Sequence, residues 1–184
     1  MDADAAMVEQ DHLAIVLKAL DFAARKHRDQ RRKDADATPY INHPIQVASL
    51  LVEHAGITDP LVLAAAILHD TLEDTGATEA ELEREFGGDI TAVVVEVTDD
   101  KRLPRAIRKQ HQIDHAPGKS PAAKLVKLAD KICNLRDMND APPANWSLAR
   151  RQEYFDWARA VIDRMRGTHA GLEVLFDREY ARRP

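Results

Sequence analysis

Cysteine, glycine and long apolar runs are all scarce in this chain, and each scarcity narrows the structural options. Cys133 is the single cysteine among 184 residues, so we expect no internal disulfide and a reducing, cytoplasmic location. Only 7 glycines are present, while alanine and leucine are plentiful, which favours helices over strands. No apolar run reaches the roughly 18 residues that a transmembrane helix needs, so we expect no membrane span.

An excess of positive charge is also missing. The formal net charge is -5 at pH 7, which argues against general nucleic-acid binding but leaves room for a local basic pocket that binds a small anion. The chain is 45% hydrophobic and 31% charged, an ordinary globular composition, and its length predicts one domain over residues 1–184. No feature of the sequence predicts an oligomeric state.

Hydrophobic periodicity predicts an all-α fold. Apolar residues recur at helical spacing from Val8 to about Ala24, and helix start signals precede most later apolar segments. Further helices are predicted to begin at Pro44, after Asp59, after Thr78, after Ser120 and after Ser147, with a short last helix over 169–180. Residues 90–97 are rich in β-branched side chains, but no partner strand is visible elsewhere, so a helix is predicted there as well.

Potential metal ligands are concentrated in the segment ILHDTLEDT, residues 67–75. On a helix with about 100° per residue, four side chains of this segment share one arc of about 140°. They are His69, Asp70, Glu73 and Asp74. Carboxylates grouped in this way repel one another unless a cation is present, and an unpaired buried charge costs several kcal/mol. The segment therefore predicts a divalent metal ion.

Two neighbouring ligands are too few for tight binding, so others are expected at distant positions where burial is predicted. His43 stands at the start of a predicted helix, and Asp130 interrupts the apolar stripe of KLVKLADKICNL. With His69 and Asp70 they form a set of two histidines and two aspartates, which suits Mn²⁺, Fe²⁺, Mg²⁺ or Zn²⁺. Each residue alone is more often a surface or helix-edge residue. The order H…HD…D on successive helices is what predicts the site, and Mn²⁺ fits it well.

This order of ligands resembles that of the HD-domain phosphohydrolases, which are all-α, metal-dependent proteins. Four segments are similar to the (p)ppGpp hydrolase branch of that family: RRKDADATPYINHP, ILHDTLEDT, EVTDDKRLP and KLVKLADKICNLRD. The similar core runs from about residue 19 to residue 154. We expect no synthetase domain like that of the bifunctional RelA/SpoT enzymes. The segment NWSLARRQEYFDWA, within predicted helices over 147–181, resembles the stand-alone small alarmone hydrolases of the Mesh1 type.

The resemblance implies metal ligands and a catalytic pair. The family's Glu-Asp pair, one turn after the HD dipeptide, matches Glu73 and Asp74. A carboxylate at that distance can deprotonate a water or pass a proton to a leaving group, and its alternative role is to orient a ligand. The positions that match the family's metal ligands are His43, His69, Asp70 and Asp130.

The resemblance also implies contacts to the substrate. Arg32 and Lys33 match the pair that meets the guanine base, and Asn134 matches an asparagine on the nucleoside side. Asp137 stands where some relatives have threonine, which leaves the sugar contact there open. Phosphate or sugar contacts are expected at Arg150 and Tyr154, from the resemblance, and at Arg105, from its place in a basic run.

The implied reaction is hydrolysis of a guanosine 3′,5′-bis(diphosphate), which releases pyrophosphate from the 3′ position and leaves GDP or GTP. The same pocket could instead accept another phosphorylated nucleotide, such as NADPH through its 2′-phosphate. A third possibility is a non-catalytic alarmone sensor, but the six matching ligand and catalytic positions argue against it. The other histidines, among them His27 and His169, are expected in surface or capping roles, and Cys133 in packing.

Overall fold

The computed structural model describes the backbone of residues 3–184 and the side chains of residues 11–184. This described part contains nine α-helices and a 3-10 turn at Ala116–Gly118, and its β-type pairing is limited to one isolated bridge between Arg31 and Pro39. The helices are α1 (Ala3–Lys26), α2 (Asn42–Ala55), α3 (Pro60–Leu68), α4 (Thr71–Asp74), α5 (Glu79–Val97), α6 (Arg105–His115), α7 (Pro121–Asp140), α8 (Leu148–Asp163) and α9 (Ala170–Ala181). The all-α prediction is confirmed.

Short polar residues set most of the predicted helix starts. Asp59, Thr78, Ser120 and Ser147 each accept a hydrogen bond from a backbone N–H two or three residues later. These side chains satisfy donors that have no partner within the helix. Gly56 ends α2 with a φ of 64°, a left-handed conformation that glycine adopts without strain.

The helix that was predicted to carry the whole HD segment is interrupted. Helix α3 ends at Leu68, so His69 and Asp70 lie in a turn before the single turn of α4. Side chains explain the break: His69 Nδ1 lies 2.8 Å from the carbonyl oxygen of Ala66, and Thr71 Oγ1 donates to that of Leu68 at 2.6 Å. Such bonds from side chain to backbone compete with helix continuation. The prediction of one continuous helix is therefore wrong.

Helices α5 and α6 compare differently with the sequence. The sequence predicts that the helix beginning after Thr78 is short and ends at Gly87, and this is confirmed, because Gly87 has φ 80° and ψ 169° and separates the two helical halves of α5. Helix α6 was not predicted, since its N-cap position is Pro104, which provides no side-chain cap. The apolar face of α6 is also sparse, and Gln112 is its buried residue.

Helix α3 lies at the centre of the hydrophobic core. It packs against α1, α2, α5 and α7, and Ala64, Ala65 and Ala66 are completely buried in these contacts. Helix α7 in turn contacts α2, α3, α5, α8 and α9. The start of α2, the end of α3 and the middle of α7 therefore meet at one place in the core.

None of the described helices combines the length and the apolar character that crossing a membrane requires.

Candidate metal centre and active site

His43, His69 and Asp130 converge where α2, α3 and α7 meet. Each offers one ligand atom within 4.8 Å of the other two. His43 Nε2 lies 3.1 Å from Asp130 Oδ1, and His69 Nε2 lies 3.7 Å from the same oxygen. Their exposed fractions are 1%, 5% and 7%, so water does not screen these groups. The cluster could hold a metal ion.

Asp70 brings a fourth ligand atom, the second oxygen, to this cluster. Its Oδ2 lies 3.0 Å from His69 Nε2 and 4.0 Å from His43 Nε2. The hydroxyl of Tyr40 donates a hydrogen bond to the same oxygen, which fixes the orientation of the carboxylate. All four predicted ligands are thus brought together from three separate segments of the chain.

The donor atoms of His69 fit a cation. Its Nδ1 lies 2.8 Å from the Ala66 carbonyl oxygen, which can only accept, so Nδ1 carries the proton in the neutral ring. Its buried Nε2 has no well-aligned hydrogen-bond partner. Burial lowers the pKa of His69, but the Asp70 and Asp130 carboxylates outweigh this and raise it to about 9. Positive charge is therefore favoured at Nε2, and a metal ion would replace the proton there.

The carboxylates of the cluster are held in the ionised form. Burial by itself would raise the pKa of Asp70, yet His69 and His43 hold that pKa below its ordinary value. The pKa of Asp130 lies well below its ordinary value, because Lys131 and the two histidines overcome the effect of burial. Two ionised carboxylates, one buried and one partly exposed, beside two imidazoles form a mixed oxygen and nitrogen donor set that divalent ions prefer.

Glu73, on α4, is well placed next to the cluster. Its Oε2 accepts a hydrogen bond from the backbone N–H of Asp99 at 3.2 Å, and its Oε1 lies 3.6 Å from Arg108 Nη1. Burial, followed by the charges of Asp99 and Asp70, raises the pKa of Glu73 above the ordinary glutamate value. A raised pKa makes a carboxylate a better proton acceptor near neutral pH.

Asp74 has different surroundings from Glu73. It forms an ion pair with Lys101, and Gln30 Nε2 donates a hydrogen bond to it at 3.2 Å. The two members of the predicted catalytic pair are therefore not equivalent. Glu73 lies at the buried side of the site, whereas the charge of Asp74 is balanced by a half-exposed lysine.

Two cavities lie next to the cluster and share part of their walls. One has a volume of about 430 Å³ and contains the four candidate ligands, Glu73 and Asp74. The other has a volume of about 530 Å³ and lies beside the loop between α1 and α2. The predicted substrate contacts that line one or both cavities are Arg32, Lys33, Arg105, Asn134, Arg150 and Tyr154. Every site residue predicted from the sequence therefore lies at these cavities.

Arg32, in the wall of the larger cavity, is held by two neighbouring side chains. Its guanidinium forms an ion pair with Asp137 and lies 5.5 Å from the centroid of the Tyr40 ring. Asp137, at the position where some relatives have threonine, is thus engaged in an ion pair with Arg32. Asn134 donates through Nδ2 to Asp130 Oδ1, so it connects this cavity to the candidate metal centre.

Sequence reasoning missed a buried lysine at the centre of the site. Lys131 Nζ donates to Asp130 Oδ2 at 3.0 Å and lies 4.6 Å from the centroid of the Trp157 ring. Burial opposes the charged form of Lys131, but the Asp130 carboxylate holds its pKa above the ordinary lysine value. Lys127 is likewise buried one turn earlier. A signal was present in the sequence, because Lys127 and Lys131 stand on the same largely apolar segment of α7 as Asp130. Only Asp130 was interpreted as a buried polar residue.

The histidines outside the cluster only partly follow the prediction. His169 caps α9, because its Nδ1 accepts the N–H of Leu172 at 3.2 Å, as expected. His27 was expected at the surface but is buried, with its ring stacked on that of Tyr40 at 4.9 Å between centroids. The chain turns back after α1, and this turn places His27 beneath the loop. Cys133 is buried, as its predicted packing role requires.

Lys127 gives a testable pH dependence of stability. Its Nζ donates to the Val97 carbonyl at 2.9 Å, and burial, together with the charge of Lys131, lowers its pKa from 10.5 to about 8. Between these values the unfolded state binds more protons than the folded state, so the free energy of unfolding rises with pH. In Lys127→Met this contribution is absent. The difference in unfolding free energy between the two proteins should change by about 2–3 kcal/mol between pH 7.5 and 10. The unfolding free energy of both proteins is measured by urea unfolding at each pH. If the two free energies changed with pH in parallel, Lys127 would not have this lowered pKa.

Comparison with known proteins agrees with this arrangement. The family model described as HD domain matches residues 19–156. The human guanosine-3′,5′-bis(diphosphate) 3′-pyrophosphohydrolase MESH1 is 58% identical over 160 residues, covering 87% of this chain and 89% of that protein. MESH1 of Drosophila melanogaster is 49% identical over 167 residues, covering 91% and 93%.

A solved structure gives the same result for the fold. It is that of a metazoan ortholog of SpoT described as hydrolysing ppGpp, and it is 49% identical to this chain. The superposition has a TM-score of 0.90 and covers 92% of this chain and 96% of the other. The chain therefore belongs to the HD-domain family and, within it, to the group of MESH1-type proteins.

Proposed function

We propose that this protein is a metal-dependent guanosine-3′,5′-bis(diphosphate) 3′-pyrophosphohydrolase, which converts (p)ppGpp to GDP or GTP and pyrophosphate. The observation that carries the proposal is the buried cluster of His43, His69 and Asp130, with ligand atoms within 4.8 Å of one another, beside cavities with basic walls. The human relative, 58% identical over 87% of this chain, carries the name of this activity. We also propose a cytoplasmic location, where such a nucleotide substrate would be met.

The four candidate ligands, His43, His69, Asp70 and Asp130, are proposed to hold one divalent ion. Two imidazole nitrogens and two carboxylate oxygens suit Mn²⁺, which we propose as the resident ion. When bound, such an ion polarises a phosphoryl oxygen and makes a water molecule more acidic. The Nε2 atom of His69, which has no well-aligned hydrogen-bond partner, and the ionised Asp70 and Asp130 support this assignment.

Glu73 is proposed as the general base. Its carboxylate takes a proton from a water that attacks the phosphorus next to the ribose 3′ oxygen, and the bond between that phosphorus and the 3′ oxygen breaks. The proton held by Glu73 is then available to the departing 3′ oxygen. The Asp99 amide holds one Glu73 oxygen in place, and the raised pKa of Glu73 suits both transfers. Asp74, paired with Lys101, is proposed to orient the water.

The substrate is proposed to span both cavities. Arg32 and Lys33 would contact the guanine base, since the Arg32 guanidinium is already held by Asp137 and Tyr40 and can stack on a purine. Asn134 would contact the nucleoside. Phosphate or sugar contacts are proposed at Arg105, Arg150 and Tyr154. Arg150 is supported by the Trp146 ring, 4.2 Å from its guanidinium carbon, which would limit its mobility before binding.

A metal-reconstitution assay tests the proposal. Protein stripped with a chelator and reloaded with Mn²⁺ is expected to convert ppGpp to GDP and pyrophosphate, while stripped protein is expected to be inactive. No turnover with Mn²⁺, Fe²⁺, Mg²⁺ or Zn²⁺ would overturn the function. Testing NADPH in the same assay distinguishes the two possible substrates. Phosphate release from NADPH without turnover of ppGpp would make NADPH the substrate. Tight ppGpp binding without turnover would indicate a sensor.

A further inference from the structure

The two oxygens of Asp130 have different partners. Oδ1 faces His43 Nε2 at 3.1 Å and His69 Nε2 at 3.7 Å, and it accepts a hydrogen bond from Asn134. Oδ2 accepts the hydrogen bond from Lys131 Nζ at 3.0 Å. The oxygen that faces the two imidazoles is therefore not the oxygen that bonds the ammonium.

Lys131 is fixed on more than one side. The residue is 3% exposed, and its Nζ lies 4.6 Å from the centroid of the Trp157 ring. The ring is itself anchored, because Trp157 Nε1 donates to the carbonyl of Lys109 on α6 at 3.1 Å. A carboxylate and an aromatic face thus hold the ammonium between α7 and α8.

A buried ion pair of this kind needs a reason other than stability. Removing two charges from water costs several kcal/mol per ion, and apolar residues of similar volume often stabilise a fold equally well. The aliphatic part of the Lys131 side chain is already buried, and a methionine has a similar length. The pair therefore points to a role at the Asp130 carboxylate.

We propose that Lys131 is a positioning residue that makes Asp130 bind the metal ion through Oδ1 alone, with Trp157 holding the ammonium in place. This inference rests on the metal site of the proposed function. A carboxylate with a free second oxygen can bind a divalent ion through both oxygens. That second bond would fill a coordination position that water or substrate needs. Lys131 prevents it by keeping Oδ2 occupied.

Lys131→Met tests this role, because it removes the charge and keeps a stem of similar length. The variant is loaded with Mn²⁺ without substrate, and the exchangeable waters on the ion are counted by electron spin echo envelope modulation in D₂O. We expect one bound Mn²⁺ per chain, with affinity at least as high as in the wild type, and one coordinated water fewer. Turnover of ppGpp should lose about 10–100-fold in kcat, with KM nearly unchanged.

Two matched variants serve as controls. Lys131→Arg keeps a buried donor beside Oδ2 and should keep the water count of the wild type. Lys127→Met removes a buried lysine one turn earlier on the same helix, where Nζ bonds the Val97 carbonyl, and should also leave the water count unchanged. If Lys131→Met does not fold, Trp157→Leu takes its place, with Trp157→Phe as its control, and a lower water count is expected in Trp157→Leu alone.

Three results would contradict the inference. An unchanged water count in Lys131→Met, whatever its activity, would show that Lys131 does not control Asp130. An increase in KM at constant kcat would instead make Lys131 a contact to substrate phosphate. A lower water count in Lys127→Met as well would indicate a general effect of charge. These three results concern Lys131 and leave the proposed function intact. The proposed function would fail if the wild-type protein bound no divalent ion, because the metal site itself would then be absent.

Discussion

Asp130→Ala is expected to abolish metal binding and to reduce kcat/KM for ppGpp by roughly a thousand-fold or more, because metal ions contribute several kcal/mol to such transition states. Asp130 Oδ1 lies 3.1 Å from His43 Nε2 and 3.7 Å from His69 Nε2. Without it the imidazoles lose one of the two carboxylates, Asp70 and Asp130, whose negative charges attract a cation to Nε2. Metal content by elemental analysis and turnover of ppGpp measure the two effects separately.

The same substitution leaves Lys131 buried without its partner. An unpaired buried charge costs about 3–5 kcal/mol, so Asp130→Ala should also lower the melting temperature, and Asp130→Asn, which keeps the volume, is the better variant for the metal measurement. Asp163→Ala is a suitable control, since that carboxylate is exposed on α8 and pairs with Arg159 and Arg166. Stoichiometric metal and near-normal turnover in Asp130→Asn would remove Asp130 from the ligand set.

Glu73→Gln is expected to keep the metal ion and to lose about 10²–10⁴-fold in kcat, the usual contribution of a general base. The amide keeps the size of the side chain and can still accept the hydrogen bond from the Asp99 N–H. It cannot take a proton from water. Single-turnover kinetics with ppGpp at saturating enzyme, together with metal analysis, separate a loss of chemistry from a loss of metal.

The pH profile gives a second measure of the role of Glu73. A base acts only when it is deprotonated, so activity of the wild type should fall as the pH drops through the pKa of Glu73, which burial and the nearby carboxylates raise above 4.5. Glu73→Gln should lack this acidic limb. Glu79→Gln, at the exposed start of α5, should retain both the limb and the rate. Normal turnover by Glu73→Gln would exclude Glu73 as the base.

The candidate metal centre could be predicted because its residues disturb an apolar pattern. His43, His69 and Asp130 stand where neighbouring residues are buried, and a polar group at such a place needs a partner. Periodicity and capping residues likewise located α2, α7 and α8, since these signals depend on adjacent residues.

The rest of the site depends on contacts that local patterns do not contain. The hydrogen bond from Lys131 to Asp130 depends on the side-chain rotamers of these two adjacent residues. The contact between Lys131 and Trp157 depends on how α7 and α8 pack together. The break after Leu68 arises from side-chain bonds to the carbonyls of α3, which a helical wheel ignores. Helix α6 has neither a cap nor a clear apolar stripe, although it supplies Arg105 and Arg108 to the site.

The three consecutive alanines of α3 have a consequence for how the chain tolerates change. Ala64, Ala65 and Ala66 are fully buried among four other helices, and Ala66 also orients the ring of His69 through its carbonyl. Even one added methyl group there would have to push a neighbouring helix outward. That displacement would reach the imidazole within one helical turn. The close packing of these helices therefore also sets the distances between the candidate metal ligands. We expect larger residues at these alanine positions to impair metal binding and catalysis before they impair folding.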